Sequence, residues 1–98
     1  MKISITSRHF KLTDKVKTKI EKEFEKLKKY SDRIMDTEAI IEENSNRKSL
    51  ELKVRIDKSL ITAKFEDYEL AKVIEDGFKK LESRVKKHID KFHRRRKR

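Results

Sequence analysis

Cysteine is absent from the chain, which excludes disulfides and thiolate metal sites and is compatible with a reducing cytosol. The single glycine, Gly77, leaves no glycine-rich loop to cradle a nucleotide phosphate. No apolar run approaches the roughly eighteen residues of a membrane-spanning helix. The N-terminal MKISITSRHF alternates instead of forming the apolar block of an export signal. A soluble, cytoplasmic protein is therefore expected. Of the three histidines, His88 and His93 stand five apart, whereas two metal ligands on one helical face sit about four apart; His9 is remote from both. No Ser or Thr has an evident base partner, and Glu42 and Glu43 adjoin neither a nucleophile nor a metal pattern. No catalytic residue, metal, cofactor or small-molecule substrate is expected.

What the chain has in excess is positive charge. Its 98 residues hold 29 Lys and Arg against 18 Asp and Glu, a net charge of +11. Residues 79–98 alone contribute +9 of this, residues 1–30 contribute +6, and the middle of the chain is slightly acidic. A bias confined to two ends that folding can bring together suits a surface for a polyanion. Charged residues make up 48% and apolar residues 34%, a composition near the disordered regime. The regular spacing of the apolar residues argues for a folded domain nonetheless.

Alternation predicts a strand over Lys2 to Arg8, with Ile3, Ile5 and Ser7 on one side and Arg8 pointing away from the core. Thr13 is a candidate N-cap for a helix whose apolar stripe is Val16, Ile20, Phe24, Leu27 and Tyr30. A weaker strand follows over Met35 to Glu43, with Met35, Thr37, Ala39 and Ile41 on one face. NSNRKS, residues 44–49, reads as a polar loop. Leu50 to Ile56 and Ile61 to Phe65 form a hairpin around Asp57-Lys58-Ser59. Asp67 is a candidate cap for a last helix, Tyr68 to Phe92, with Leu70, Val73, Ile74, Phe78, Leu81, Val85, Ile89 and Phe92 as its stripe. At about 37 Å that helix outruns a small sheet. The expected fold is α+β, in the order β-α-β-β-β-α, with two helices on one face of a four-stranded sheet. One domain over residues 1–92 and a basic extension over 93–98 are expected.

Turning the last helix by about 100° per residue puts Lys80, Arg84, Lys87 and Lys91 on one flank of the stripe, with Glu75 and Glu82 on the other. A cation at every turn along a straight edge can follow a phosphate backbone and displace its counterions. Lys79 and Lys86 add charge nearer the outer face. A solvated helix face, or cations placed to complement the helix dipole, would account for part of the pattern. An excess of nine repelling charges over twenty residues goes beyond either. The phenylalanines Phe24, Phe65, Phe78 and Phe92 all fall on core stripes, so base stacking on a sheet is not expected.

Three stretches resemble the ribosome hibernation-promoting factor family, which includes protein Y. They are ISITSRHFKLTDKVKTKIEKEFEKLKKYSDRI at 3–34, the Leu50 to Phe65 hairpin, and ELAKVIEDGFKKLESRVKKHIDKF at 69–92. The resemblance implies a fold like double-stranded RNA-binding domains and a non-enzymatic role. Such proteins bind ribosomal RNA in the decoding region of the small subunit, block messenger and transfer RNA, and hold idle ribosomes inactive under stress. It puts the family's basic second-helix positions on Lys80, Arg84, Lys87 and Lys91, and its basic residue after the first strand on Arg8. Lys79, Lys86, Arg94 and Arg95 would be supporting contacts. Ser7, His9, Glu69, Ala71, Glu75, Ser83 and Ile89 depart from the family's usual residues. The chain resembles the short forms, expected to be monomeric off the ribosome and to rely on a separate factor for any ribosome dimerisation. The alternatives are a general double-stranded RNA-binding module and a membrane-surface protein; the latter would need the apolar stripe that the core requires.

Overall fold

The computed structural model describes residues 1–96, with side chains through Lys91. Strand β1 (Lys2–Arg8) leads to helix α1 (Asp14–Lys26), then β2 (Ile34–Asn44), β3 (Arg47–Ile56), β4 (Ser59–Asp67) and helix α2 (Leu70–Arg96). The sheet order is β1-β2-β3-β4. β1 runs parallel to β2, whereas β2–β3 and β3–β4 are antiparallel. Parallel neighbours need a crossover, and α1 supplies it. α1 packs against β1, and α2 lies across β4 and β3. The expected β-α-β-β-β-α architecture is the one observed.

Helix α1 begins where expected. Thr13 is extended (φ −87°, ψ 161°) and its hydroxyl accepts from the Val16 amide at 3.2 Å. Asp14 sits in the first turn, at the positive end of the helix dipole. The helix tightens into a 3-10 turn over Leu27–Lys29, through which the stripe still delivers Leu27, buried, and Tyr30, half-buried.

Three local expectations give way. Met35 was expected on the core face of β2 but is 55% exposed, while Ile34 is buried at 6%. Ile34 and Asp36 pair with the adjacent residues Ile56 and Arg55, so Met35 is the extra residue of a bulge and the alternation shifts there. The expected six-residue loop at 44–49 is a two-residue turn, Ser45-Asn46, with φ of 51° and 68° at those positions. Positive φ at both central residues gives a turn twist that matches its strands and lets pairing continue to Asn44 and Arg47. The last helix starts at Leu70, not Tyr68. The Asp67 carboxylate accepts from the Tyr68 and Glu69 amides at 2.7 and 3.1 Å, shaping the chain just before the helix. These backbone bonds, that from Glu69 above all, hold the Asp67 carboxyl below its ordinary pKa.

The core lies between the helices and the sheet. Ile20, Phe24 and Leu27 of the first helical segment meet Ala39 and Ile41 of β2, Leu50, Leu52 and Val54 of β3, and Val73, Phe78, Leu81 and Val85 of α2, all buried. Gly77 sits where α2 comes close against β3 and β4. A methyl group there would stand 3.3 Å from Leu50 Cδ2 and 3.8 Å from Leu52 Cδ1. Gly77→Ala is expected to be close to neutral, because helix propensity gains about 0.5–1 kcal/mol while Leu50 must give way slightly. Gly77→Val overpacks the contact and should cost about 1–3 kcal/mol. Urea unfolding of both variants checks the pair; a tolerated valine would show that α2 can lift off β3 freely.

Candidate nucleic-acid interface

α2 is the long axis of the molecule. Its 27 residues span about 40 Å, and the protein measures 51 × 22 × 19 Å. Lys80, Arg84, Lys87 and Lys91 are all exposed and follow one flank for about 16 Å along the axis. That flank overlies the open edge of β4. Lys80 Nζ donates to the Lys64 carbonyl at 3.1 Å, and Arg84 Nη1 donates to the Thr62 carbonyl at 2.6 Å. An edge strand has unpaired carbonyls to offer, and two of the four cations cover them. Among the described residues, Lys87 and Lys91 make no hydrogen bond or salt bridge. The row is thus half tethered and half open to solvent.

The opposite flank is different in kind. Lys79 stands 3.9 Å from Glu75, and Lys86 stands 3.5 Å from Glu82, each one turn along. The Tyr30 hydroxyl, arriving from the end of the α1 segment, donates to Glu82 Oε1 at 2.8 Å. Lys29 Nζ and Lys86 Nζ lie 5.1 and 5.2 Å from the Tyr30 ring centroid, within reach of cation–π attraction. The Tyr30 hydrogen bond, with Lys86 and Lys29 adding to it, holds the Glu82 carboxyl below its ordinary pKa. The structure therefore separates Lys79 and Lys86 from the row and gives each a carboxylate partner. The i,i+4 spacing of Glu75 with Lys79 and of Glu82 with Lys86 carried that signal. The Tyr30 hydroxyl had no such signal, because its position on the apolar stripe gave only the ring.

Arg8 lies elsewhere. It is exposed at the end of β1, in register with Glu42, on the sheet face opposite the helices. Three inter-strand spacings, about 14 Å, separate β1 from β4. This open face is a lattice of both signs. Lys2, Asp36 and Arg55 share one cross-strand row, Glu38 and Lys53 the next, and Glu51 and Lys64 the one after. Its charges largely cancel, so the positive excess belongs to the helices. The Arg94 and Arg95 side chains, Phe92 of the expected stripe, and the rest of the 93–98 extension beyond its backbone to Arg96 lie outside the described residues. Among the described residues no cluster of His, Asp and Glu could hold a metal ion, and no helix is long and apolar enough to cross a membrane.

The turn after Arg8 carries a conformational cost. His9 has φ 53°, a left-handed geometry uncommon outside glycine and adopted mostly by Asn, Asp and His among the other residues. The Ser7 hydroxyl donates to the Phe10 carbonyl and closes the turn around it. His9→Asn is expected to leave unfolding free energy within about 0.5 kcal/mol of the wild type, whereas the β-branched His9→Val should lower it by about 1–2 kcal/mol, measured by urea unfolding. An unchanged midpoint for His9→Val would mean that the turn finds another geometry.

Residues 3–93 match the profile of the family described as Sigma 54 modulation protein / S30EA ribosomal protein. No curated protein matches the chain. Among solved structures, the chain superposes on the Thermus thermophilus Protein Y N-terminal domain with a TM-score of 0.82 at 23% identity, covering 90% of this chain and 99% of that one. A ribosomal subunit interface protein from Coxiella burnetii gives 0.83 at 23% identity, covering 90% and 97%. Likeness at this identity speaks to the fold, and the fold is shared along almost the whole length.

Proposed function

The chain belongs to the Sigma 54 modulation protein / S30EA ribosomal protein family, and on that premise we propose that it is a ribosome hibernation factor. The family is one of ribosome-associated modulation factors and not a known class of enzyme. In the proposed reading the protein occupies the decoding region of the small subunit in the cytoplasm, is held there by ribosomal RNA, and excludes messenger and transfer RNA by its bulk. The observation that carries this reading is the straight cationic flank of α2. Lys87 and Lys91 are open to solvent, and Lys80 and Arg84 need leave only edge carbonyls to meet phosphates. Arg8, on the other sheet edge, would meet a second RNA segment, so the site must embrace the domain and not merely touch one side. A continuous groove in folded RNA offers this, and a single isolated duplex face does not.

Co-sedimentation with small ribosomal subunits, with and without messenger and transfer RNA, tests the reading. Mutual exclusion is expected, and undiminished binding in the presence of both RNAs would sink it. Binding to free duplex RNA as tight as to subunits would favour a general RNA-binding module instead. If the row and Arg8 neutralise about five phosphates, log affinity should fall with log salt at a slope of roughly −3.5 to −4.5.

A further inference from the structure

Two of the four row cations, Lys80 and Arg84, are tied in the free protein to the β4 edge by one bond each. Each gives a single N–H to a carbonyl, Lys80 to Lys64 and Arg84 to Thr62, and a phosphate standing off the edge can draw either side chain away from it. Once those bonds go, the flank of α2 over β4 has lost its polar tethers. What stays is the other flank, where the Tyr30 hydroxyl holds Glu82 at 2.8 Å and Lys86 stands 3.5 Å from the same carboxylate oxygen. Neither Tyr30 nor Glu82 belongs to the basic row.

This contact differs from the packing beside it. Apolar burial of Leu81 and Val85 holds α2 down on the sheet, but it is non-directional and tolerates a small roll of the helix about its own axis. A hydrogen bond to an ionised carboxylate is short and angle-dependent, so it resists that roll. The position of the contact matters as well. Val85 is fully buried, Ile89 only partly so, and Lys91 is exposed. From Glu82 to Lys91 the helix advances about 13 Å, so a change of roll or tilt at the contact moves the free end of the row.

The geometry points to Tyr30 as a positioning residue: its hydroxyl, through Glu82, fixes the roll of α2 and so aims Lys87 and Lys91 when Lys80 and Arg84 leave the β4 edge. The inference rests on the ribosomal reading above. Tyr30 acts here through α2 and makes no RNA contact of its own.

Tyr30→Phe isolates the hydroxyl, because it keeps the ring, its packing, both cation–π contacts and the net charge. Small-subunit affinity of the full chain would be measured across a salt series for the wild type, Tyr30→Phe and Lys87→Gln. Tyr30→Phe is expected to bind roughly three- to tenfold more weakly, the scale of losing one pre-set orientation, with the salt slope unchanged because no phosphate contact is lost. Lys87→Gln should weaken binding and also make the slope shallower by about 0.7–0.9. Residual dipolar couplings should show α2 reoriented or more mobile relative to the sheet in Tyr30→Phe alone. Wild-type affinity for Tyr30→Phe would overturn the positioning role and leave the ribosomal reading standing. Weaker binding by Tyr30→Phe with α2 oriented and ordered as in the wild type would overturn it too, by showing that the hydroxyl acts on RNA directly and not through the helix. A wild-type protein that fails to bind small subunits would sink the reading itself.

Discussion

Reversing Lys80, Arg84 and Lys87 to Glu should abolish binding to small ribosomal subunits, whereas reversing Lys17, Lys22 and Lys26 on α1 should do much less. The first change removes three cations from one straight flank and puts three carboxylates in their place. Each lost phosphate contact makes the salt slope shallower by about one, and each new carboxylate repels a phosphate at close range. A loss of at least about a hundredfold in affinity at physiological salt is the expected scale. The fold should survive. All three positions are exposed, and surface changes away from packed features usually stay within about 0.5 kcal/mol. Glutamates at 80 and 84 also uncover the Lys64 and Thr62 carbonyls, which water can then solvate at an open edge. The control has a structural cost of its own, since Lys26 lies 2.8 Å from Glu23. Lys26 is exposed although Glu23 is mostly covered, and an i,i+3 pair with one exposed partner is worth up to about 1 kcal/mol. Far-UV circular dichroism and thermal melts verify the fold, and co-sedimentation reads the binding. Equal losses from both triple variants would show that net charge, not a directed flank, governs binding.

That flank was legible in the sequence because helical periodicity is strict over α2. Val73, Leu81 and Val85 mark the buried line, and once it is drawn the direction of Lys80, Arg84, Lys87 and Lys91 follows from 100° steps. β3 was legible for the same reason, with Leu50, Leu52, Val54 and Ile56 all buried. The family profile and the shared fold agree with what those stripes implied. The losses came where one residue changes the phase of a pattern, or where two remote segments meet. The bulge at Met35 is invisible in a strand that alternates acceptably on either side of it. Ser45 and Asn46 form a tight turn without the glycine that usually announces one, so composition alone made it a loop. Arg8 and the α2 row read as one set of cations, yet strand order places them on opposite edges and opposite faces of the sheet. Tyr30 is the sharpest case. Its ring obeys the α1 stripe, but its hydroxyl finds Glu82 fifty-two residues away, a pairing that only the packing of α1 against α2 creates.

Phe24→Ala is expected to be the most damaging single substitution in the core. Phe24 is fully buried, and its ring meets Phe78 edge-on, with centroids 5.0 Å apart and an interplanar angle of 81°. The pair joins α1 to α2 across the middle of the core. Truncation loses the buried ring, the edge-to-face contact and the filled volume, about 3–5 kcal/mol together. Domains of this size have about 5–15 kcal/mol in total, so the variant should be marginal or unfolded, with a urea midpoint far below that of the wild type. Phe65→Ala, half-buried on the β4 edge, should cost less than half as much. Comparable losses would mean that α1 and α2 are not coupled through the aromatic pair. Salt makes the test sharper. A net charge of +11 repels itself in the folded state, and raising ionic strength to about 0.15 M shortens the screening length to about 8 Å. Phe24→Ala, with little stability in reserve, should therefore recover helical signal as salt rises. On the proposed function the same salt would weaken attachment to RNA, so the charge proposed to direct binding is also a load on the fold, and the Phe24–Phe78 contact helps a chain of this size carry it.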